Sequence, residues 1–444
     1  MTGSVNAGPR LDRLPLSAFH RRVVTLIAIG MFFDGYDVYV AATVLGATLK
    51  SGFSTLAQNA EFISFTFIGM MIGSFFTGFL GDRFGRRFTY QANLIIFGLA
   101  SLAAAFAPNM QWLILLRGIM GIGLGAELVA GYAALAEFLP PQARGRWSGI
   151  LNAAVVTSLP VSALASTLLI PRIGWRVMFV IGGIGAMIVW YLRKSMPESP
   201  RWLESIGRTE EAETILQQIE GEFAERGIML PEPVPAATAV AMRGVATLFE
   251  PPLLSRTLVG FTTLIVENTL IYGFVSWLPT FFVQQGLSIT VSFQFSFLMS
   301  MGAPVGAAIA SVAADSLGRK PTILGASFAA IVFGGIYPLT RDPVLLPLVG
   351  FLLVVSIYVL VAMLFAIYIP ELFPTDLRMR AAGLCNTVGR TATIFTPFLV
   401  VVLLRSYGIA GVIGLMIGLL IIQMVTVHLW GIEPRLRRLE EMET

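Results

Sequence analysis

Two carboxylates stand three residues apart in Phe32-Phe33-Asp34-Gly35-Tyr36-Asp37-Val38-Tyr39, inside an otherwise apolar run from about Val23 to Leu49. That run is long enough to cross a bilayer, which takes roughly 20 apolar residues. An ionisable side chain at such depth costs a few kcal/mol or more, so it faces a cavity or a partner and marks a pathway or a proton relay. A three-residue step turns about 60° around a helix, so Asp34 and Asp37 share a face, and two acids so placed titrate as a coupled pair. The plainer alternative is a pair of acids locked to arginines for packing, because structural ion pairs also exist.

Other side chains capable of chemistry fall in similar runs. Arg117 and Glu127 lie between 112 and 136, Glu267 and Asn268 between 257 and 284, and Arg390 between 381 and 404. A guanidinium is always charged and its fork matches a carboxylate, which makes Arg390 a candidate substrate anchor; the packing alternative is an internal pair with Glu267. Glu127 is a candidate second proton site or gate member, and Glu267 and Asn268 are candidates to line a cavity. Tyr36, Tyr39, Tyr132, Tyr272, Trp277 and Tyr358 are candidates to sandwich a substrate ring, with packing or an interfacial aromatic belt as the alternative.

Composition dictates the elements that must position these residues. The chain has 444 residues, 56% hydrophobic and 13% charged, with mean hydropathy +0.78, too apolar for a soluble fold of this size. Spanning-length runs recur at about 23–49, 60–80, 88–107, 112–136, 147–170, 177–193, 257–284, 290–314, 321–339, 344–369, 381–404 and 409–431. They predict an all-α membrane protein with twelve transmembrane helices. The organisation is a 1–22 arm, a six-helix half at 23–193, a 194–255 linker with amphipathic helices, a second half at 256–431 and a 432–444 tail. One cysteine, Cys385, excludes an internal disulfide, and two histidines, His20 and His428, make a metal site improbable. No metal, no cofactor and no nucleic-acid partner is expected.

The charge has a distribution of its own. Of 30 Lys and Arg, 23 fall on one side: the N-terminus, 81–87, Arg144 and Arg146, the 193–256 segment, Arg319 and Lys320, Arg378 and Arg380, and the tail. That asymmetry predicts both termini on the cytoplasmic side of a cell inner membrane. The start, with Arg10, Arg13, Arg21 and Arg22, leads into a full-length span without a small-residue cleavage site, so no cleavable signal peptide is expected. Within the linker, Ser199-Pro200 reads as an N-cap followed by proline at the first helical position, and Thr209 to Arg226 as an amphipathic helix.

Two patterns repeat. Gly78-Phe79-Leu80-Gly81-Asp82-Arg83-Phe84-Gly85-Arg86-Arg87 has a degenerate copy in Asp315-Ser316-Leu317-Gly318-Arg319-Lys320, offset by 233 residues. The pattern E-x-x-P-x-x-x-R-x-R-x-x-G occurs from Glu137 through Pro140, Arg144 and Arg146 to Gly149, and again from Glu371 through Pro374, Arg378 and Arg380 to Gly383, offset by 234. The chain is thus a duplicated six-span unit, and because six is even the two halves insert in parallel.

These residues resemble the major facilitator superfamily across 20–432. The resemblance rests on the twelve-span plan, the two glycine-acid-arginine turns and Arg117 followed by Gly121, Gly123 and Gly125. It rests also on Pro197-Glu-Ser-Pro-Arg-Trp-Leu203 and on Pro370-Glu-Leu-Phe-Pro-Thr375. The D-G-Y-D of the first span is similar to the signature of the family's aromatic-acid:proton symporters. The other two segments are similar to its sugar-porter, organic-ion and synaptic-vesicle-type branches. The resemblance implies a monomer and a cytoplasmic gate built from Gly78, Gly81, Asp82, Arg83, Gly85, Arg86, Glu137, Arg144, Arg146, Asp315, Arg319, Glu371, Arg378 and Arg380. Suitable pairs are Asp82 with Arg83 or Arg86, Glu137 with Arg144 or Arg146, and Glu371 with Arg378 or Arg380. Antiporters of the family carry a glycine-proline-glycine pattern in the fifth span; here only Ser158-Leu159-Pro160 is found, which implies uptake by symport.

Charges that are not duplicated belong to substrate or proton. At offset 234, Asp37 maps to Ile271, Arg117 to Phe351, Glu127 to Val361, Glu267 to Phe33 and Arg390 to Val156. At ~1.5 Å per residue Asp37 lies about 21 Å from the cytoplasmic start of its span, and Arg117 about 22 Å from the same side, so they are level. The expected mechanism has Asp37 and Asp34 carry the proton while Arg117 modulates their hold on it. The expected function is proton-coupled uptake of a small organic anion, an aromatic or related carboxylic acid, by alternating access. A sugar, polyol or other neutral-metabolite porter and an organic-cation or drug exporter are the alternatives; a membrane enzyme would need a nucleophile–base or metal set that is not visible. Asp37→Asn is predicted to abolish proton-coupled accumulation in vesicles; accumulation that survives the change removes Asp37 from the coupling.

Overall fold

The computed structural model of the chain describes residues 5–233, 244–251, 253–374 and 377–433. Among them ten helices are long and apolar enough to cross a membrane. One, Arg378–Trp430, is two spans joined end to end, broken at Gly408 where the backbone leaves helical geometry (φ 63°, ψ −159°). Arg86–Ala104, too polar at its start to count among the ten, packs between its neighbours as a further span. Twelve spans result: Ala18–Lys50, Leu56–Phe84, Arg86–Ala104, Met110–Phe138, Pro141–Ile173 and Arg176–Arg193 form the first half. The second begins with span 7, Leu253–Gly273 followed by Leu278–Gln284, and span 8, Ile289–Ser300 with Gly302–Ser316. Span 9 is Arg319–Ile336, span 10 runs from Leu345 to Leu372, and the broken helix supplies spans 11 and 12.

Local signals set the starts. Thr55 accepts from Gln58 N while the Gln58 side chain bonds back, Asn109 Oδ1 accepts from Trp112 N at 3.1 Å, and Ser288 Oγ accepts from Val291 N at 3.3 Å; each satisfies an otherwise orphaned first-turn amide. Regularity is lost where the cavity will be built. Span 7 breaks through a short 3₁₀ turn at Val275–Trp277, and span 10 passes through a π-helical stretch at Ala362–Tyr368, a deformation that recurs at functional sites. The halves meet where span 2 packs on span 11, span 1 on the outer part of span 7, and span 5 on span 8. Spans 5 and 8 are the duplicates of 11 and 2, so the two lateral seams are related by the repeat.

In each half an arginine of the glycine-acid-arginine turn pairs with the glutamate that opens the other duplicated motif. Arg86 Nε bonds Glu137 Oε1 at 2.8 Å, and Arg319 bonds Glu371 through Nε and Nη2 at 2.8 and 2.9 Å. Glu137 and Glu371 were expected to pair with the arginines seven and nine residues on. Pro140 explains the difference: the backbone there is extended (φ −63°, ψ 146°) before a new helix starts, so Arg144 turns back to Leu139 O at 2.9 Å and outward to Asp12 Oδ1 at 2.9 Å. A third repeat, offset 235, was not read from the sequence. Glu198 accepts from the Arg86 and Arg87 amides, and Glu433 accepts from the Arg319 and Lys320 amides, a carboxylate on a helix N-terminus in each half. Gly85 and Gly318 sit just before those helices with φ 97° and 100°, and a Cβ at either would run into the capping carboxylate. Arg83 is exposed with its guanidinium 5.6 Å from the Phe84 ring centroid, and Arg380 is exposed at the same end of span 11. Gly78 and the side chains of Asp82, Arg146, Asp315 and Arg378 lie outside the described residues, as do the 434–444 tail and 234–243 of the linker.

The N-terminal arm forms a helix at Ala7–Asp12. Ala7, Leu11 and Leu14 pack on Leu216, Ile219 and Phe223 of the linker helix Thr209–Ala224. Arg10 binds Glu213 and Glu220, Arg13 binds Glu220 at 2.7 Å, and Asp12 bridges Arg144 and Arg201. Arg10 holds the Glu213 carboxyl below the usual glutamate range; at Glu220 burial pushes upward, and Arg10 and Arg13 outweigh it, so that carboxyl is lowered too. A lowered folded-state value means the docking is at full strength above the free glutamate value of about 4.3 and is lost as pH falls through the lowered one. A spin label placed by Val5→Cys is therefore expected to stay immobile from neutral pH down to about 4 and to loosen below it. Release already at about pH 5 or above would contradict the ion-pair account.

Candidate functional site

The spacing of Asp34 and Asp37 sends them to different surroundings. Asp37 is 1% exposed and forms an ion pair with Arg117, itself 1% exposed. Arg117 also donates from Nη2 to the Asp37 carbonyl at 3.0 Å and from Nε to Thr66 Oγ1 at 3.0 Å, with its guanidinium 5.1 Å from the Phe62 ring centroid. Glycines set this depth of packing: Gly121 and Gly125 of span 4 lie against the Thr66 and Met70 carbonyls of span 2, an approach only small residues permit. The depth arithmetic put Asp37 and Arg117 level, and the structure brings them into contact.

Asp34, one helical turn toward the termini, lines a cavity between the halves. Its two carboxyl oxygens are buried without a hydrogen-bond partner. Tyr39, Phe67, Asn268, Tyr272, Phe365 and Arg390 share the wall. Arg390 is half-buried, forms no ion pair among the described residues, and reaches only Ser74 Oγ at 3.5 Å. Tyr272 meets Phe67 edge to face at 4.4 Å, and Tyr39 accepts a 3.2 Å hydrogen bond from Tyr358, which stands fully buried behind the wall. Asn268 donates to Leu264 O at 2.7 Å, leaving its carbonyl oxygen available. Glu267, beside it, is fully buried and neither oxygen has a hydrogen-bond partner; it makes no pair with Arg390.

Three aromatic candidates stand apart from the cavity. Tyr36 donates toward Met178 O at 3.4 Å, Trp277 stacks on Phe281 at 6.4 Å, and Tyr132 packs in the cluster around Met31 and Ala134. Glu127 is held by Arg193 in a second buried ion pair, at 1% and 2% side-chain exposure. The positive-inside count above assigned Arg193 to the basic flank, whereas its long side chain turns back into the bundle. It donates from Nε to Leu26 O at 3.1 Å and from Nη2 to Ile27 O at 3.2 Å. Gly30 makes the room: a Cβ there would collide with the Arg193 guanidinium and stand 2.9 Å from Glu127 Oε1.

Two bundles of six spans enclose a central cavity, with unduplicated charges buried beside it. The chain belongs to the Major Facilitator Superfamily, whose sequence model matches residues 27–397. It is 37% identical over 443 residues to the inner membrane metabolite transport protein YdjE of Escherichia coli (strain K12), covering 98% of each chain. It is 32% identical over 397 residues to the niacin transporter NiaP of Acinetobacter baylyi, covering 88% of this chain and 89% of that one. In structure it resembles the partially occluded inward-open xylose transporter XylE from E. coli, with TM-score 0.73, 18% identity and coverage of 94% and 99%. The protein is a multi-pass membrane transporter and not an enzyme.

Gly→Ala in a helix interior ordinarily stabilises by about 0.5–1 kcal/mol. Gly30→Ala is expected to do the reverse, because displacing Arg193 leaves Glu127 as an uncompensated buried charge, a loss of about 3–5 kcal/mol. The thermal midpoint of the detergent-solubilised protein should fall by several degrees; an unchanged or raised midpoint would show that Arg193 and Glu127 are not held together there.

Proposed function

We propose that the protein imports a small organic anion, an aromatic or related carboxylic acid, together with a proton. The observation that carries the reading is Arg390, a guanidinium without an ion-pair partner among the described residues, on a wall that also presents Tyr39, Phe67, Tyr272 and Phe365. A cation left exposed to a low-dielectric cavity is satisfied best by a bound carboxylate, and the rings offer faces for an aromatic body. Asp34 and Asp37, with Arg117 and Glu127, are the proton-handling set; Asn268 and Tyr39 orient the substrate's polar groups. The similarity to a niacin transporter supports an aromatic acid, niacin being a ring with one carboxylate.

Alternating access then runs between the two halves. The Arg86–Glu137 and Arg319–Glu371 pairs each tie the inner ends of one half into a unit that moves as a body. In this reading both termini and the linker are cytoplasmic, the membrane is the cell inner membrane, and one chain is the working unit. A porter for a hydroxylated neutral metabolite is the second reading, favoured by the amide and hydroxyl groups of Asn268 and Tyr39 on the cavity wall.

Uptake of radiolabelled benzoate and nicotinate into proteoliposomes, driven by an inward proton gradient, separates the two. The wild type is expected to accumulate at least one of these acids, and Arg390→Lys, which keeps the charge but loses the fork, to raise the half-saturation concentration about tenfold or more, a loss of about 1.4 kcal/mol. Accumulation of sugars alone, or indifference to Arg390→Lys, would move the reading to the neutral-metabolite porter.

A further inference from the structure

Three acids and two guanidiniums are buried together in the first half: Asp34, Asp37 and Glu127 against Arg117 and Arg193. Arginine does not give up its proton in a protein, so with all three acids ionised one negative charge would stand uncompensated at mid-membrane. Such a charge is the expensive case, and the group neutralises instead. The pairing decides which. Asp37 belongs to Arg117 and Glu127 to Arg193, whereas Asp34 forms no ion pair among the described residues and its two oxygens are buried.

Arg193 is not free to change sides. Its Nε and Nη2 are committed to the Leu26 and Ile27 carbonyls of span 1, Nη1 faces Glu127, and the slot left by Gly30 fits the guanidinium. Asp34 therefore lies within electrostatic reach of Glu127, Arg193 and Asp37 but owns no cation. The charges around it are complete: Asp37 on its own span, Arg117 and Glu127 on span 4, Arg193 on span 6, and Arg390 and Glu267 from the other half. Residues 147–171 of span 5 and Leu278–Gln284 add none, and the phenols Tyr36, Tyr39 and Tyr90 bring no charge at neutral pH. Asp34 lines the cavity, so a proton there has a way in and out.

We propose that Arg193 is a positioning residue for proton coupling: it holds Glu127 in an ion pair and so leaves Asp34 as the group that holds the transported proton in this conformation. The Asp37–Arg117 pair is then charge-balanced without a proton. The inference rests on the proton-coupled reading above, but its test does not.

The purified protein is examined by infrared difference spectroscopy at neutral pH, without substrate, reading the carbonyl stretch of protonated carboxyls. Asp34→Asn is expected to remove one such band. Arg193→Gln, which strips Glu127 of its cation, should add a protonated carboxyl, and the double change Glu127→Gln with Arg193→Gln should return the spectrum to the wild-type count. A set of bands left unchanged by Asp34→Asn, or by Arg193→Gln, overturns the proposal. If Asp34→Asn does not assemble, identical spectra for the single and double Arg193 variants overturn it equally. Absence of proton-driven uptake by the wild type would remove the transport reading while leaving these spectra, and this inference, to be judged on their own.

Discussion

The structure is governed by the cost of a charge in the middle of a membrane. Nothing apolar asks for Asp37 or Arg117 at that depth, and each alone would cost several kcal/mol. Together they form a neutral unit, with Arg117 held additionally by Thr66 and the Asp37 carbonyl. Packing follows from that demand. Span 4 must approach span 2 closely enough for Arg117 to reach Thr66, which is why glycines and not leucines face the span 2 carbonyls. Span 1 must offer Gly30 where Arg193 enters from span 6. The same accounting leaves Asp34 and Arg390 as the ionisable groups on the cavity wall with no ion-pair partner among the described residues, and those are the groups to which proton and anion are assigned here.

Duplication and departure from duplication divide the labour. What both halves share lies at the terminus-bearing end. Arg86 with Glu137 and Arg319 with Glu371 are equivalent pairs, and Glu198 and Glu433 cap equivalent helices. Such parts keep each half rigid whichever way the protein faces. What the halves do not share lies at mid-depth: the acids of span 1 and their arginines on one side, Arg390 and Glu267 on the other. Regular helix is given up only in the second half near the cavity, at the break of span 7 after Tyr272 and the π-helical turn that carries Phe365.

The spans, their duplication and the level placement of Asp37 and Arg117 were legible because each rests on periodicity or spacing, which survive without coordinates. Arg193 was hidden by the rule that finds topology: an arginine at a span end reads as headgroup decoration, and only its contacts reveal that the side chain turns inward. The Glu137–Arg144 pair was misjudged because nearness in sequence was taken for nearness in space, while Pro140 redirects the chain. Tyr36 and Trp277 show the limit for aromatics, whose direction on a helix facing both cavity and neighbours is set by packing. The arm at Ala7–Asp12 hid its apolar stripe among charges, since three residues over two turns are too few to stand out.

The claim at the centre of this account is that an organic anion and a proton cross together. The most direct measurement is the change in external pH when a solute is added to proteoliposomes containing the purified protein, with aromatic acids, aliphatic acids, sugars and organic cations compared side by side. Alkalinisation with carboxylates and not with sugars or cations is the result expected if Arg390 anchors an organic anion that enters with a proton. Alkalinisation with sugars alone, or carboxylate uptake with no proton movement, would contradict it.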